Sequence, residues 1–227
     1  MGSQAADPPE RGSLEIKRFP RDIVAPSERD RLVAAMAAVC AERGYEATSV
    51  EEVVARAGVT PRDFEQHFSD KADCGIAAVN QILAETTSVA STAYSPYSLE
   101  WKRILRGVRA LLELLAARPS FARLACIEAR QAMPPEAYEL YGSGIRVLAA
   151  MLDRLRAYAA GGAPASATRG AVGGAEALIR RELLAGRAER LPELLPDIIY
   201  GALVPFLDQQ EALLHAELAR EMLNEGG

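Results

Sequence analysis

The spacing of apolar residues predicts helices along most of this chain. After the first 26 residues, apolar side chains recur at intervals of three and four, which places them on one face of a helix. The first such stripe consists of Leu32, Val33, Met36, Val39 and Cys40. Gly44 then ends the helix, because glycine adopts the left-handed conformation without a steric penalty. The pattern predicts an all-α protein.

Two short helices follow, each with its own start signal. The segment Thr48-Ser49-Val50-Glu51 has the spacing of a capping box, in which the threonine hydroxyl accepts from an amide three residues on. Gly58 ends that helix, and Thr60 and Pro61 begin the next one. Two short helices joined by a glycine-containing turn describe a helix-turn-helix. The same spacing also occurs at ordinary helical corners, which is the structural alternative.

The rest of the chain has the pattern of a larger helical body. Apolar stripes predict helices from about residue 98 onward, interrupted at Pro119, at Pro134 and by a Gly-rich loop at 161–164. Two further helices are expected over about 171–184 and 191–222, with a kink or an end near Pro205 because proline lacks a backbone donor. The chain thus divides into a flexible, partly basic arm, a helix-turn-helix domain and a larger helical domain: residues 1–26, 27–74 and 75–227.

Composition excludes several classes of protein. Hydrophobic residues make up 49% of the 227, enough for a core, and alanine and leucine dominate them, which suits helices. No apolar run is long enough to span a membrane, and the acidic N-terminal residues argue against a secretory signal, so we expect a cytoplasmic protein. The three cysteines have no metal-ligand spacing. The histidines are His67 and His215, with no nucleophile–base pairing or phosphate loop, so we expect no enzyme, cofactor or metal.

The charge balance is unusual for a DNA-binding protein. The net charge is −5, from 26 basic and 31 acidic residues. The segment 28–75 carries six basic and ten acidic residues, for a net of −4. Any attraction to DNA must therefore be local. Within the N-terminal arm a basic segment stands out, and it is either a solvated tail or an arm that touches DNA. Its residues are Arg11, Lys17, Arg18 and Arg21.

One stretch resembles a known family of regulators. It covers residues 31–74, which read RLVAAMAAVCAERGYEATSVEEVVARAGVTPRDFEQHFSDKADC. This segment is similar to the DNA-binding head of the tetracycline-repressor (TetR) family. The positions that carry the resemblance are Gly44, Tyr45, Thr48, Ser49, Val50, Ala57, Gly58, Val59, His67, Phe68, Ser69 and Lys71.

The helix that begins at Thr60 would be the recognition helix. Its outward residues would enter the major groove, where Arg62 suits guanine and Gln66 suits adenine. Lys71 resembles the family's phosphate-contacting lysine. The predicted DNA contacts are Thr48, Ser49, Thr60, Pro61, Arg62, Gln66, His67 and Lys71.

One position departs from the family pattern. Glu65 stands where the family usually has a tyrosine that commonly touches a phosphate, and a carboxylate there repels the backbone. This leaves two hypotheses. The first is a dimeric repressor that a small-molecule effector releases from a palindromic operator. The second is a helical ligand-binding or partner-binding protein whose acidic head has lost DNA binding.

The resemblance also implies an effector pocket among the middle helices and a dimer formed by the last two. Polar-tipped or charged residues beside apolar faces are the pocket candidates. They are Trp101, Arg109, Glu128, Tyr138 and Tyr141. The apolar stripe of the last helix is the dimer candidate. Its residues are Leu195, Ile198, Ile199 and Ala202.

Overall fold

The computed structural model describes residues 26–92, 100–155 and 163–224, and in these ranges it contains helices and no strand. The α-helices are α1 Glu28–Arg43, α2 Val50–Ala57, α3 Pro61–His67, α4 Lys71–Thr92, α5 Glu100–Ala117, α6 Pro119–Arg123, α7 Ala129–Gln131, α8 Pro135–Asp153, α9 Ala165–Leu184, α10 Leu195–Leu203 and α11 Gln209–Asn224. A π-helix, Leu124–Glu128, joins α6 to α7, and a 3₁₀-helix, Ala188–Leu194, precedes α10. The predicted all-α fold is confirmed.

The head is a three-helix unit packed on the start of α4. Leu32 and Met36 on α1 are fully buried, and they belong to the same core as Val53 of α2, Phe64 of α3 and Phe68. Gly58 ends α2 with a φ of +64°, and the Arg31 guanidinium donates to the carbonyls of Ala57 and Gly58 at 3.4 Å each. The turn of the helix-turn-helix is therefore held by the left-handed conformation of Gly58 and by the hydrogen bonds from Arg31.

Capping boxes define where the three head helices begin. Their pairs are Ser27 with Asp30, Ser49 with Glu52, and Thr60 with Asp63. The predicted box at Thr48 and Glu51 was one residue too early. Thr48 is 3% exposed, and its hydroxyl donates to the Gly44 carbonyl at 2.8 Å, so this side chain closes the preceding turn instead.

The body is a helical bundle in which the final predicted helix is divided. α10 ends at Leu203, two residues before Pro205, and α11 begins at Gln209. Asp208 caps α11 by accepting from the Glu211 amide at 2.8 Å. In the described ranges, no helix is long and apolar enough to cross a membrane.

The predicted dimer residues lie inside the bundle of their own chain. All four are at most 5% exposed, because α10 packs against α9, α5 and α11. They are Leu195, Ile198, Ile199 and Ala202. An apolar stripe on a helix does not show whether it meets its own chain or a partner. The structure therefore places these residues mainly in the core of their own chain, and Ile198 also borders the groove between α9 and α10.

A buried carboxylate connects the body to the head. Glu128, the last residue of the π-helix, is 7% exposed, and its Oε2 accepts from the Tyr45 amide at 2.9 Å. Tyr45 lies in the loop between α1 and α2. A buried backbone amide needs such a partner, since an unsatisfied donor costs about 1–3 kcal/mol. The body thus supplies a hydrogen bond that the head requires.

The left-handed turn at Gly58 gives a first prediction. Gly58→Ala is expected to lower the free energy of unfolding by about 1–2 kcal/mol, because an L-residue with a side chain is strained in this conformation. An added Cβ would approach only the Arg31 Nη1, at 4.0 Å, so the cost lies in the backbone. Thermal denaturation followed by circular dichroism measures it. Gly58→Asn is the matched control and should lose less, since asparagine tolerates this conformation. Equal melting temperatures for wild type and Gly58→Ala would contradict the account.

The Glu128 contact gives a second prediction. Glu128→Ala should accelerate hydrogen exchange at the Tyr45 amide, because the buried donor loses its acceptor. Glu128→Gln retains an acceptor oxygen and should stay close to wild type. Exchange resolved by residue with NMR distinguishes the three proteins. An unchanged Tyr45 rate in Glu128→Ala would show that this hydrogen bond does not hold the loop.

Candidate DNA interface and ligand cavity

The outer face of α3 is set by its one buried residue, Phe64. A helix turns by about 100° per residue, so Arg62 and Gln66, two positions on either side of Phe64, lie on the opposite face. Both side chains are exposed. The capped N-terminus at Thr60 and the adjoining Pro61 are exposed as well. The helix therefore presents an arginine and a glutamine side by side, which matches the major-groove interpretation.

Other predicted contacts lie around this face. Ser49 is half-buried, and its hydroxyl accepts from the Glu52 amide at 3.3 Å. The Thr60 hydroxyl donates to the Asp63 carboxylate at 2.8 Å. The Thr60 amide, which donates to the same carboxylate, and then this hydroxyl lower the pKa of Asp63 and keep it ionised at the helix start. The His67 imidazole lies 3.6 Å from the Glu28 carboxylate.

Two predicted DNA contacts turn out to face the protein itself. The Lys71 ammonium donates to the carbonyls of Tyr45, Glu46 and Thr48 at 3.1, 3.4 and 3.0 Å. It also lies 4.5 Å from the centre of the Tyr45 ring. An ammonium has three protons, so this lysine is fully occupied in holding the loop before α2. Thr48, buried with its hydroxyl bonded to Gly44, is likewise withdrawn from the DNA contacts.

The remaining head charges mostly serve the fold. Arg43 pairs with Glu52, and Arg56 pairs with Glu42 at 2.8 Å. Arg29 lies 5.3 Å from the Phe68 ring centre. Within residues 26–92, described without a break, Arg62 has neither a hydrogen bond nor an ion pair to another side chain. The negative net charge of the head therefore coexists with an outward-facing arginine on α3. The basic arm residues fall outside the described ranges.

An apolar cavity lies inside the body. Its accessible volume is about 170 Å³, and it opens to solvent on one side. Its walls come from α4, α5, the π-helix, α8, α9 and α10. Representative apolar wall residues are Ile82, Leu111, Leu148, Met151 and Ile179. Such a cavity suits a largely apolar small molecule.

A polar cluster interrupts the apolar wall. The Tyr141 hydroxyl donates to Glu176 Oε1 at 2.7 Å, and the Arg130 guanidinium donates to the same oxygen. Burial raises the pKa of the Tyr141 hydroxyl, which therefore keeps its proton. Burial also raises the pKa of the neighbouring Cys126 thiol to about 12, so this cysteine is not a reactive thiolate.

Four of the five predicted pocket residues have described side chains, and one of these four lines the cavity. Tyr141 lines it. Tyr138 is on the surface, 54% exposed, and Arg109 binds Glu113 and the Met222 carbonyl instead. Glu128 faces the head. Trp101 falls outside the residues whose side chains are described. Sequence reasoning missed Glu176, because a glutamate on a helix resembles a surface residue until α9 is placed against α8.

The head matches a family of known regulators. Residues 32–78 match the family model described as bacterial regulatory proteins, tetR family. The chain is also 28% identical over 107 residues to the HTH-type transcriptional activator FasR of Mycolicibacterium smegmatis. That alignment covers 47% of each protein, so the match spans about half the length of this curated relative.

Solved structures share the fold over most of the chain. The fatty acid degradation regulator FadR from Bacillus halodurans superposes with a TM-score of 0.69 at 16% identity, covering 80% of this chain and 96% of that one. FadR from Bacillus subtilis, solved in complex with stearoyl-CoA, gives a TM-score of 0.55 at 17% identity, covering 73% and 96%. These likenesses show the fold. The chain therefore carries the DNA-binding head of the tetR family of regulators, and its described residues have the fold of solved transcriptional regulators.

Proposed function

We propose that this protein is a dimeric repressor whose hold on DNA is weakened when a small, mostly apolar effector enters the cavity. The observation that carries the proposal is the π-helix Leu124–Glu128. Ala125 and Cys126 line the cavity, while Glu128 bonds to the head. One short element thus touches both the ligand space and the DNA-binding domain.

The coupling has a direct physical route. A ligand that displaces Ala125 or Cys126 would also displace Glu128, which follows them by three and two residues. The Glu128 carboxylate holds the Tyr45 amide, and the Tyr45 ring and carbonyl hold Lys71, which fixes the carbonyl just before α2. Irregular π-turns in helices often mark functional sites, where the local hydrogen bonds rearrange readily. The effector would act by favouring one arrangement of this contact over another.

The cavity's chemistry agrees with what one structural neighbour binds. The Bacillus subtilis FadR structure contains stearoyl-CoA, whose long acyl chain is apolar. The cavity here is likewise mostly apolar. We therefore propose that an apolar chain or ring system fills it.

A dimer requires a surface other than the buried stripe of α10. A groove between α9 and α10 is lined by small residues, among them Gly170, Gly174 and Gly201. An added Cβ at each of these positions would meet nothing within 4 Å in the described residues of this chain. Glycine in a helix costs about 0.5–1 kcal/mol relative to alanine, and the chain itself gives no reason for it here. Close approach of a partner's helix, as in the family resemblance, supplies that reason.

A second candidate is activation of transcription. The curated relative FasR is named an activator. A reporter gene placed downstream of the bound DNA distinguishes repression from activation. Deletion of the regulator should raise reporter expression if the protein is a repressor and lower it if the protein is an activator.

The exposed recognition face gives a third prediction. Arg62→Ala should weaken binding to the DNA upstream of the protein's own gene by about 1–3 kcal/mol, roughly 5- to 150-fold, if it reads a base edge. Fluorescence anisotropy over a salt series measures the affinity. Arg190→Ala is the matched control, because it removes one exposed positive charge from the body. If wild type shows no preference over random DNA even at low salt, the hypothesis of a head without DNA binding is correct instead.

The glycine groove gives a fourth prediction. Analytical ultracentrifugation should show wild type at twice the 24.4 kDa chain mass. Gly174→Glu should shift it towards the monomer, because a buried unpaired charge at an interface is costly. Ala150→Glu places the same charge on an exposed position of α8 and should leave the dimer intact. A dimer unaffected by Gly174→Glu would place the interface elsewhere.

A further inference from the structure

The polar cluster in the cavity wall uses its strong hydrogen-bond donors internally and leaves mainly acceptors for a ligand. Its members that line the cavity are Cys126, Tyr141 and Glu176. The Tyr141 hydroxyl donates its hydrogen bond to Glu176 Oε1, and Arg130 donates to the same oxygen. Both strong donors of the cluster therefore point at one carboxylate oxygen.

The second carboxylate oxygen of Glu176 is the remaining acceptor. Among the described residues, none donates a hydrogen bond to Glu176 Oε2. An ionised carboxylate accepts through both oxygens, so Oε2 of this partly buried side chain can accept a hydrogen bond from a ligand. Apart from the weak thiol donor of Cys126, the cluster offers acceptors rather than donors to the cavity.

The charges of the cluster also restrict the charge of the ligand group that can bind beside it. Arg130 pairs with Glu176 from outside the cavity lining, so it offsets much of the attraction of the carboxylate for a cation while the carboxylate alone borders the cavity. A cationic ligand group would lose its hydration for little net attraction, and an anionic group would face the Glu176 carboxylate. A neutral hydrogen-bond donor avoids both costs.

We propose that Glu176 makes this cavity selective for apolar molecules that carry a neutral hydrogen-bond-donating group, a hydroxyl or an amide N–H. This inference rests on the proposed effector function of the cavity and names the chemical class of its ligand. Glu176 is the specificity-determining residue, and Tyr141 and Arg130 are positioning residues that fix one of its oxygens.

A second charged residue in the same cavity could determine ligand specificity instead of Glu176. Arg103 on α5 also contributes to the lining, and a cation there would favour an anionic head group. The two residues predict opposite preferences among ligands with one apolar chain. The choice between them can therefore be tested with simple probes.

The test uses three probes with the same ten-carbon chain: decan-1-ol, 1-methoxydecane and decanoate. Their dissociation constants for the full-length protein are measured by isothermal titration calorimetry at about pH 8, where a carboxylic acid is ionised. The inference predicts that decan-1-ol binds about tenfold more tightly than 1-methoxydecane, which has no donor, and that decanoate binds most weakly.

Variants assign the preference to Glu176. Glu176→Leu should abolish the advantage of decan-1-ol over 1-methoxydecane, and Glu176→Gln should improve decanoate binding by about tenfold, because the repelling charge is gone. Glu113→Gln is the matched control, since Glu113 is an exposed carboxylate outside the cavity lining. The wild-type comparison stands on its own if a variant is unstable.

The outcomes separate this inference from the proposed function. Binding of all three probes with equal affinity, or with decanoate preferred, overturns the selectivity by Glu176 and leaves the cavity as a ligand site. If no probe binds wild type, the cavity is not an apolar ligand site, and the proposed effector function fails with the inference.

Discussion

The organisation of this protein depends on one buried hydrogen bond, from the Tyr45 amide to the Glu128 carboxylate. It joins the loop before the helix-turn-helix to the π-helix that borders the cavity. The loop is also held by Lys71, whose ammonium binds three of its carbonyls. Without Glu128 the Tyr45 donor is buried and unpaired, a cost that both halves of the molecule are arranged to avoid. This hydrogen bond therefore links the head to the body, alongside the packing of α1 on α6 and the π-helix.

The acidic residues of the head likewise have structural roles, in helix caps and in ion pairs. Glu52, Asp30 and Asp63 complete capping boxes, and their negative charges lie at the positive ends of helices. Glu42 neutralises Arg56. Net charge counted along the segment is therefore a poor guide to the field at the groove-facing surface. On that surface the decisive groups are Arg62 and its exposed neighbour Glu65.

Local chemistry could be predicted from the sequence, and long-range packing could not. Periodicity and helix caps place α1 to α3, with the error of one residue at Thr48, since adjacent Thr and Ser are both good caps. The roles of Glu128 and Glu176 depend on residues 83 and 35 positions away, their hydrogen-bond partners Tyr45 and Tyr141. Nothing local distinguishes these glutamates from surface ones. The stripe on α10 shows the same limit, because a helix pattern does not say what covers it, and these residues are buried within their own chain.

The central claim is that occupancy of the cavity is transmitted to the head. The most direct measurement is the affinity of the protein for the DNA upstream of its own gene, with and without decan-1-ol at a concentration that saturates the cavity. The account predicts that decan-1-ol weakens DNA binding, by roughly 5- to 150-fold for a coupling of ordinary size, and that Glu128→Ala loses this response. DNA affinity that stays the same while calorimetry shows the cavity filled would contradict it.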